Sequence, residues 1–203
     1  MKRVALTRMV FSVIVLAACL SQAVCEAAFT LRLTSGLDSV TLVDDGAGDF
    51  NNKAGAITFI GELGTYTLNV TTGLSNPTYP LISEPFPMLD LNSVNVSSSG
   101  AGVLTIELWD DFDAMGGTFP AGSVEFVSII DPIVGSTITS TPLVLQGPSD
   151  SDSNSVWIDG GLSAFTLKQV VTITTTGTTT VSFDFSSRVV PEPATVLLWA
   201  GCS

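Results

Sequence analysis

The chain has 203 residues, with 7 basic against 19 acidic side chains and no histidine, and a net charge of −12. Without histidine it can supply neither a Ser-His-Asp triad, nor a Cys-His pair, nor a His-ligated zinc or iron centre. The acidic excess opposes nucleic acid, whose binding needs Lys and Arg on phosphates, and favours a soluble surface that attracts divalent cations.

In chain order, the first element is a targeting segment. Lys2, Arg3 and Arg8 form a basic region, and Val10 to Leu20 is an apolar run too short for a membrane span. Small residues at Cys25 and Ala27 predict a signal peptide over residues 1–27, cut by signal peptidase before Ala28. Leu16-Ala17-Ala18-Cys19 also resembles a bacterial lipobox, which would make Cys19 a lipidated first residue. The three cysteines, Cys19, Cys25 and Cys202, all lie in the end segments. The body therefore has no disulfide and must fold by burial alone.

Residues 28–188 read as one all-β domain. Short runs rich in Val, Ile, Thr and Phe alternate with Gly, Asn, Asp, Ser and Pro punctuation. Strands are expected at 29–33, 39–43, 56–60, 66–71, 89–96, 103–109, 124–130, 137–145, 155–158, 165–175 and 179–185. Tyr66, Leu68 and Val70 alternate with Thr67, Asn69 and Thr71, the period of a strand with one face in a core. Gly61-Glu62-Leu63-Gly64 is the expected hairpin connection. Pro77 to Pro87 is expected as an edge-crossing loop. Thr174–Thr180 is read as two strands joined at Gly177, since Thr suits a sheet. Many short strands with frequent turns imply an antiparallel β-sandwich, immunoglobulin-like or jelly-roll.

Four constellations could carry chemistry. Asp44, Asp45, Asp49 and Asn51 offer several oxygens within one Gly-containing loop, as calcium requires, without EF-hand spacing. The same loop also reads as an Asp/Gly turn whose side chains cap their own backbone. Asp150, Asp152 and Asn154 repeat the alternating oxygen pattern more briefly. Glu107, Asp110, Asp111 and Asp113 cluster around Trp109, the residue types of a glycosidase pair or of a crowded turn. Of the aromatics, Tyr66 and Trp109 fall in strand patterns and are expected in the core. Tyr79 and Trp157 flank loops, where they could stack on an extracellular polysaccharide.

The last segment, residues 189–203, contains Pro191-Glu192-Pro193 followed by Ala194, Val196, Leu197, Leu198, Trp199 and Ala200. Prolines fix φ and force the preceding residue toward extended geometry, so Val190 to Pro193 should be an accessible extended strip. This tail resembles the PEP-CTERM sorting signal of exported bacterial surface proteins, on Pro191, Glu192, Pro193 and the apolar run. The resemblance implies recognition by an exosortase, transient anchoring in the inner membrane and delivery to the cell surface or extracellular matrix. It implies no enzymatic activity. The family pattern continues through a full membrane span to a cluster of arginines. Here ten residues follow Pro193 and none is basic, so a truncated or frameshifted coding sequence, or a decayed signal, is expected. Residues 41–49, 55–59 and 68–73 look more loosely like other ectodomains of the same kind.

Overall fold

The computed structural model describes residues 28–76, 86–113, 122–130, 136–145, 157–158 and 162–191. The expected signal segment, residues 77–85 with Tyr79, Asp150, Asp152, Asn154, Glu192, Pro193 and the three cysteines lie outside the described residues. The described residues are all-β and antiparallel, with no helix among them. Among the described residues nine strands form one sheet: β1 (Thr30–Ser35), β2 (Asp38–Val43), β3 (Ala56–Leu63), β4 (Tyr66–Asn76), β5 (Met88–Asp113), β6 (Gly122–Ile130), β7 (Ser136–Leu145), β8 (Trp157–Ile158) and β9 (Ala164–Pro191). The main path runs β2-β1-β5-β9-β6-β8; β3 and β4 attach to β5, and β7 attaches to β9.

The organising feature is the β5/β9 ribbon, with strands of 26 and 28 residues paired along their length. Each of these strands serves two sets of neighbours. Residues 88–98 of β5 pair with β4, and residues 104–109 pair with β1. Residues 183–191 of β9 pair with β6, and residues 166–175 pair with β7. The sheet thus has two arms joined through the middle of one ribbon.

Those arms fold back on one another. Ser75 of β4 pairs with Leu89 of β5, and its hydroxyl donates to Asp110 of the same β5. A straight strand would hold positions 89 and 110 roughly 70 Å apart at 3.3 Å per residue. The bond therefore requires β5 to double back between them. Gly73, also on β4, has no room for a Cβ, which would stand 2.5 Å from Leu108 of the opposite arm. One hydrophobic cluster spans both arms, including Leu31, Ile57, Leu68, Leu91, Ile106, Leu167 and Phe185.

The expected turn at Gly177 is not a turn. The pairs Ser99↔Thr178, Gly100↔Gly177 and Ala101↔Thr176 continue the ladder unbroken, so 165–175 and 179–185 belong to one strand. The expected strands at 89–96 and 103–109 merge in the same way. Two glycines face each other where the arms meet, and a Cβ on either would meet nothing within 4 Å. Glycine in a strand interior marks a bend of this kind. Hydroxyls staple the place: Tyr66 Oη lies 3.0 Å from Thr175 Oγ1, Ser98 Oγ lies 3.2 Å from it, and Thr175 Oγ1 donates to Gly100 O at 3.0 Å.

The hairpin between β3 and β4 also moves. Gly61, Glu62 and Leu63 stay in β3, with a register shift between Phe59 and Gly61, and the turn is Gly64-Thr65. Gly64 has φ +59, which places it at the first central position of a primed turn. Gly36-Leu37 closes β1 and β2 in the same way, with φ +60 at Gly36. The far end of β9 runs beyond 188: Val189 is buried and its N–H donates to Pro87 O at 3.0 Å. Pro191 closes the strand opposite Gly122.

Candidate functional site

The pleat sorts the acids around Trp109. Leu104, Ile106, Leu108, Asp110 and Phe112 point inward and are buried, while Glu107, Asp111 and Asp113 take the opposite phase. The four carboxylates expected to cluster are therefore divided between two faces. Trp109 is corrected with them. It stands on the outer face, half-buried, with Lys168 Nζ 5.4 Å from its ring centroid. Lys168 also meets Glu107 at 2.6 Å, and Arg32 meets the same carboxylate at 3.7 Å. This outer group is a cross-strand charge cluster on β1, β5 and β9. Tyr66, expected in the core, is there, 1% exposed.

Inside the fold, a different group comes together at the end of the arms remote from the glycine pair. Asp110 is only 6% exposed. Its Oδ2 accepts from the Ser75 hydroxyl, and its Oδ1 accepts from Asp111 N–H at 2.9 Å. Burial is the main cause that pushes its carboxyl up to about 6; Ser75 and the Asp111 amide oppose the rise, while Asp111 and Asp44 add to it. Ser75 N–H donates to Gly55 O at 2.9 Å, and Gly55 N–H donates to Asp44 Oδ2 at 2.7 Å. Hydrogen bonds thus link Asp44 to Gly55, Gly55 to Ser75 and Ser75 to Asp110.

Asp44 starts the β2–β3 loop, the candidate calcium loop of the sequence. Its Oδ1 is buried without a hydrogen-bond partner. Burial is again the first cause of its raised carboxyl, opposed by the N–H groups of Gly55 and Ala56 and reinforced by Asp45 and Asp49. Two of the other expected ligands, Asp49 and Asn51, turn oxygens onto nearby backbone N–H groups. Asp49 Oδ1 accepts from Asn51 N–H at 2.8 Å and from Thr58 N–H at 2.9 Å, and Asp49 Oδ2 accepts from Asp45 N–H at 3.3 Å. Asn51 Oδ1 accepts from Lys53 N–H at 3.1 Å, and its amide donates to Thr58 Oγ1 at 3.2 Å. Asp45 sits in the left-handed region at φ 57 and is exposed. The loop has the geometry of a self-capped turn. Among the described residues no group of three or more His, Cys, Asp or Glu is placed to hold a metal ion.

Two further buried polar groups lie near the same end. Gln169, 1% exposed, faces Leu108 across the ladder, and neither of its amide atoms has a partner. It is the diagonal neighbour of Asp110, whose own partner is Leu167. Ser187 stands opposite Leu89, and its Oγ is likewise unpartnered. The signal for Asp110 and Gln169 is present in the sequence. Each takes an apolar position of a strict alternation, in Leu104-x-Ile106-x-Leu108-x-Asp110-x-Phe112 and in Phe165-x-Leu167-x-Gln169-x-Val171-x-Ile173. Ser75 carries no such signal, because its partner arrives from the other arm.

Of the triplet Pro191-Glu192-Pro193, Pro191 is the last described residue of β9, and Val190 before it is exposed. No family model matches this chain. A comparison with curated proteins finds no significant match either.

Proposed function

We propose that this chain is an exported bacterial surface or extracellular-matrix protein of the PEP-CTERM type, without enzymatic activity of its own. Its partners are signal peptidase at the N-terminal side and an exosortase at the C-terminal side. The observation that carries this reading is the triplet Pro191-Glu192-Pro193, whose first proline is the last described residue of β9, followed in the sequence by an apolar run. The folded-back arms are read as an immunoglobulin-like or jelly-roll sandwich, whose role is to be displayed.

Replacing Glu192 by Gln tests the assignment in a host that carries an exosortase. The expected result is accumulation of uncut, membrane-associated precursor. Processing identical to that of the parent chain rejects the sorting role. The runner-up is a carbohydrate-binding or adhesive module, and its one specific support is the outward position of Trp109. Lys168 over that ring competes with a stacked sugar, so the module reading comes second. Binding on a glycan array that is lost in Trp109→Ala would reverse the order.

A further inference from the structure

The edges of the sheet are not treated alike. A free strand edge offers unpaired N–H and C=O groups to any other strand, and folded chains blunt it with short strands, prolines, bulges, charges or covering loops. β3 is covered in this way. Phe50 N–H donates to Thr58 O at 3.0 Å, Thr58 N–H donates to Asp49 Oδ1 at 2.9 Å, and the register shifts between Phe59 and Gly61. β7 carries Pro142, and β8 has two residues. β2 has none of these devices. It is a six-residue strand, Asp38-Ser39-Val40-Thr41-Leu42-Val43, charged only at its first residue and paired with β1 in an unbroken register. Among the described residues no strand pairs with its other side. Arg32, opposite Thr41 on β1, leans away from that edge toward Glu107 at 3.7 Å.

The phase of β2 follows from its end. Asp44 N–H donates to Phe29 O at 3.0 Å, so the even-numbered residues of β2 bond to β1. Bonded residues alternate along an antiparallel strand, and Ser39, Thr41 and Val43 therefore turn their N–H and C=O groups to the open side. The side chains of these three are exposed. Val43 O is already taken, by Gly46 N–H at 2.8 Å.

We propose that β2 is a self-association edge: two copies of this chain join antiparallel through β2, about a two-fold axis at Val40, and continue one sheet across both. In that register Ser39 of each copy faces Thr41 of the other, and each such pair exchanges both of its bonds. An axis at Thr41 would set Ser39 against Val43, whose carbonyl is occupied. An axis at Ser39 would carry Val43 past the Gly36-Leu37 turn. The axis at Val40 also brings Val43 beside Leu37 of the other copy. Both are exposed large apolar side chains, at opposite ends of β2, and pairing this strip with itself covers both. Asp38 falls opposite Leu42 rather than opposite another carboxylate. The net charge of −12 opposes association at low salt, and added salt screens it.

Analytical ultracentrifugation of the full chain in roughly 0.3 M salt tests this. The expected species is a reversible dimer. Thr41→Pro removes an N–H that β1 does not use, which an edge strand tolerates. It should leave the thermal midpoint nearly unchanged and weaken association at least roughly tenfold. Leu37→Ser should weaken it by roughly fivefold. A parent chain that stays monomeric at its highest soluble concentration overturns the proposal. So does a dimer that Thr41→Pro leaves intact, because the contact would then lie elsewhere, the apolar end segments included.

Cross-linking gives a readout that holds even if Thr41→Pro fails to fold. Cys19, Cys25 and Cys202 are first replaced by serine. Val40→Cys should then link to its own copy under mild oxidation, since residues opposite one another in a non-bonded pair stand about 4.5 Å apart at Cα, within disulfide range. Ser39→Cys should not, because it faces Thr41. No link at Val40→Cys, or equal links at both positions, overturns the register.

Discussion

The two places where the arms are joined by polar groups make an instructive pair. At the bend, Tyr66, Ser98, Thr175 and the Gly100 carbonyl form a neutral network that closes on itself. At the open end, Asp44, Ser75 and Asp110 form a network that carries charge, while Gln169, Ser187 and one oxygen of Asp44 remain unpartnered. Hydroxyls accept and donate at once, so a few of them can satisfy one another in a small buried space. An ionised carboxylate only accepts, and a buried one gains little when its neighbour is another carboxylate. The bend should therefore be indifferent to pH and the open end responsive to it.

The largest test removes the apolar contact between the arms. Leu108→Ala should destabilise the chain by about 2–5 kcal/mol, since a fully buried leucine leaves a cavity. Gly73→Ala pushes a methyl at that same side chain and should cost about 1–3 kcal/mol alone. Combined, the two should cost clearly less than their sum in urea melts, because the new methyl enters the vacated space. Strict additivity would mean that the arms do not meet there.

Next comes the charge at the open end. Asp110 is bound more strongly by protons when folded, at about 6 against an ordinary 3.8. The folded state then holds more protons than the unfolded one between these values, and stability falls as pH rises. The favourable contribution is complete below about 3.8 and lost as pH passes about 6. The shift corresponds to about 3 kcal/mol, an order-of-magnitude figure for a nearly buried group. Denaturant melts of Asp110→Asn against pH should show that dependence removed, with the variant the more stable protein at neutral pH.

Tyr66→Phe probes the bend and should cost about 1 kcal/mol at every pH, because Thr175 keeps Ser98 and the Gly100 carbonyl. A pH-dependent effect there would blur the contrast between the two ends. Arg32→Ala is the smallest change. Its partner Glu107 keeps Lys168 at 2.6 Å, so the loss should stay under about 0.5 kcal/mol and vanish in high salt.

Much of the sheet was legible from residue pattern. Runs rich in β-branched and aromatic residues between turn residues placed β1, β2, β6 and β7 within a few residues, and the period of two placed the first part of β4. The same alternation, followed strictly, also marks Asp110 and Gln169 as polar residues in apolar phase. A clustering of acids by sequence distance hides this, since neighbours along a strand point to opposite faces. Leu89 and Leu91 are buried on one phase of β5, whereas Val94 and Val96 are buried on the other. That switch marks the register shift between Leu91 and Val94. The glycine at 177 misled for a definite reason. Glycine permits both a turn and a bend within a strand, and only pairing with Gly100 decides between them.

The sequence by itself determined an all-β body without histidine chemistry and a Pro-Glu-Pro triplet that starts at the end of the last described strand. These depend on side-chain polarity and backbone sterics, which act locally. Only the tertiary structure decided that β5 and β9 are single long strands and that Ser75 meets Asp110. These outcomes depend on contacts between residues tens of positions apart. Such contacts form once a bent ribbon brings two arms together, and no local period encodes where it bends.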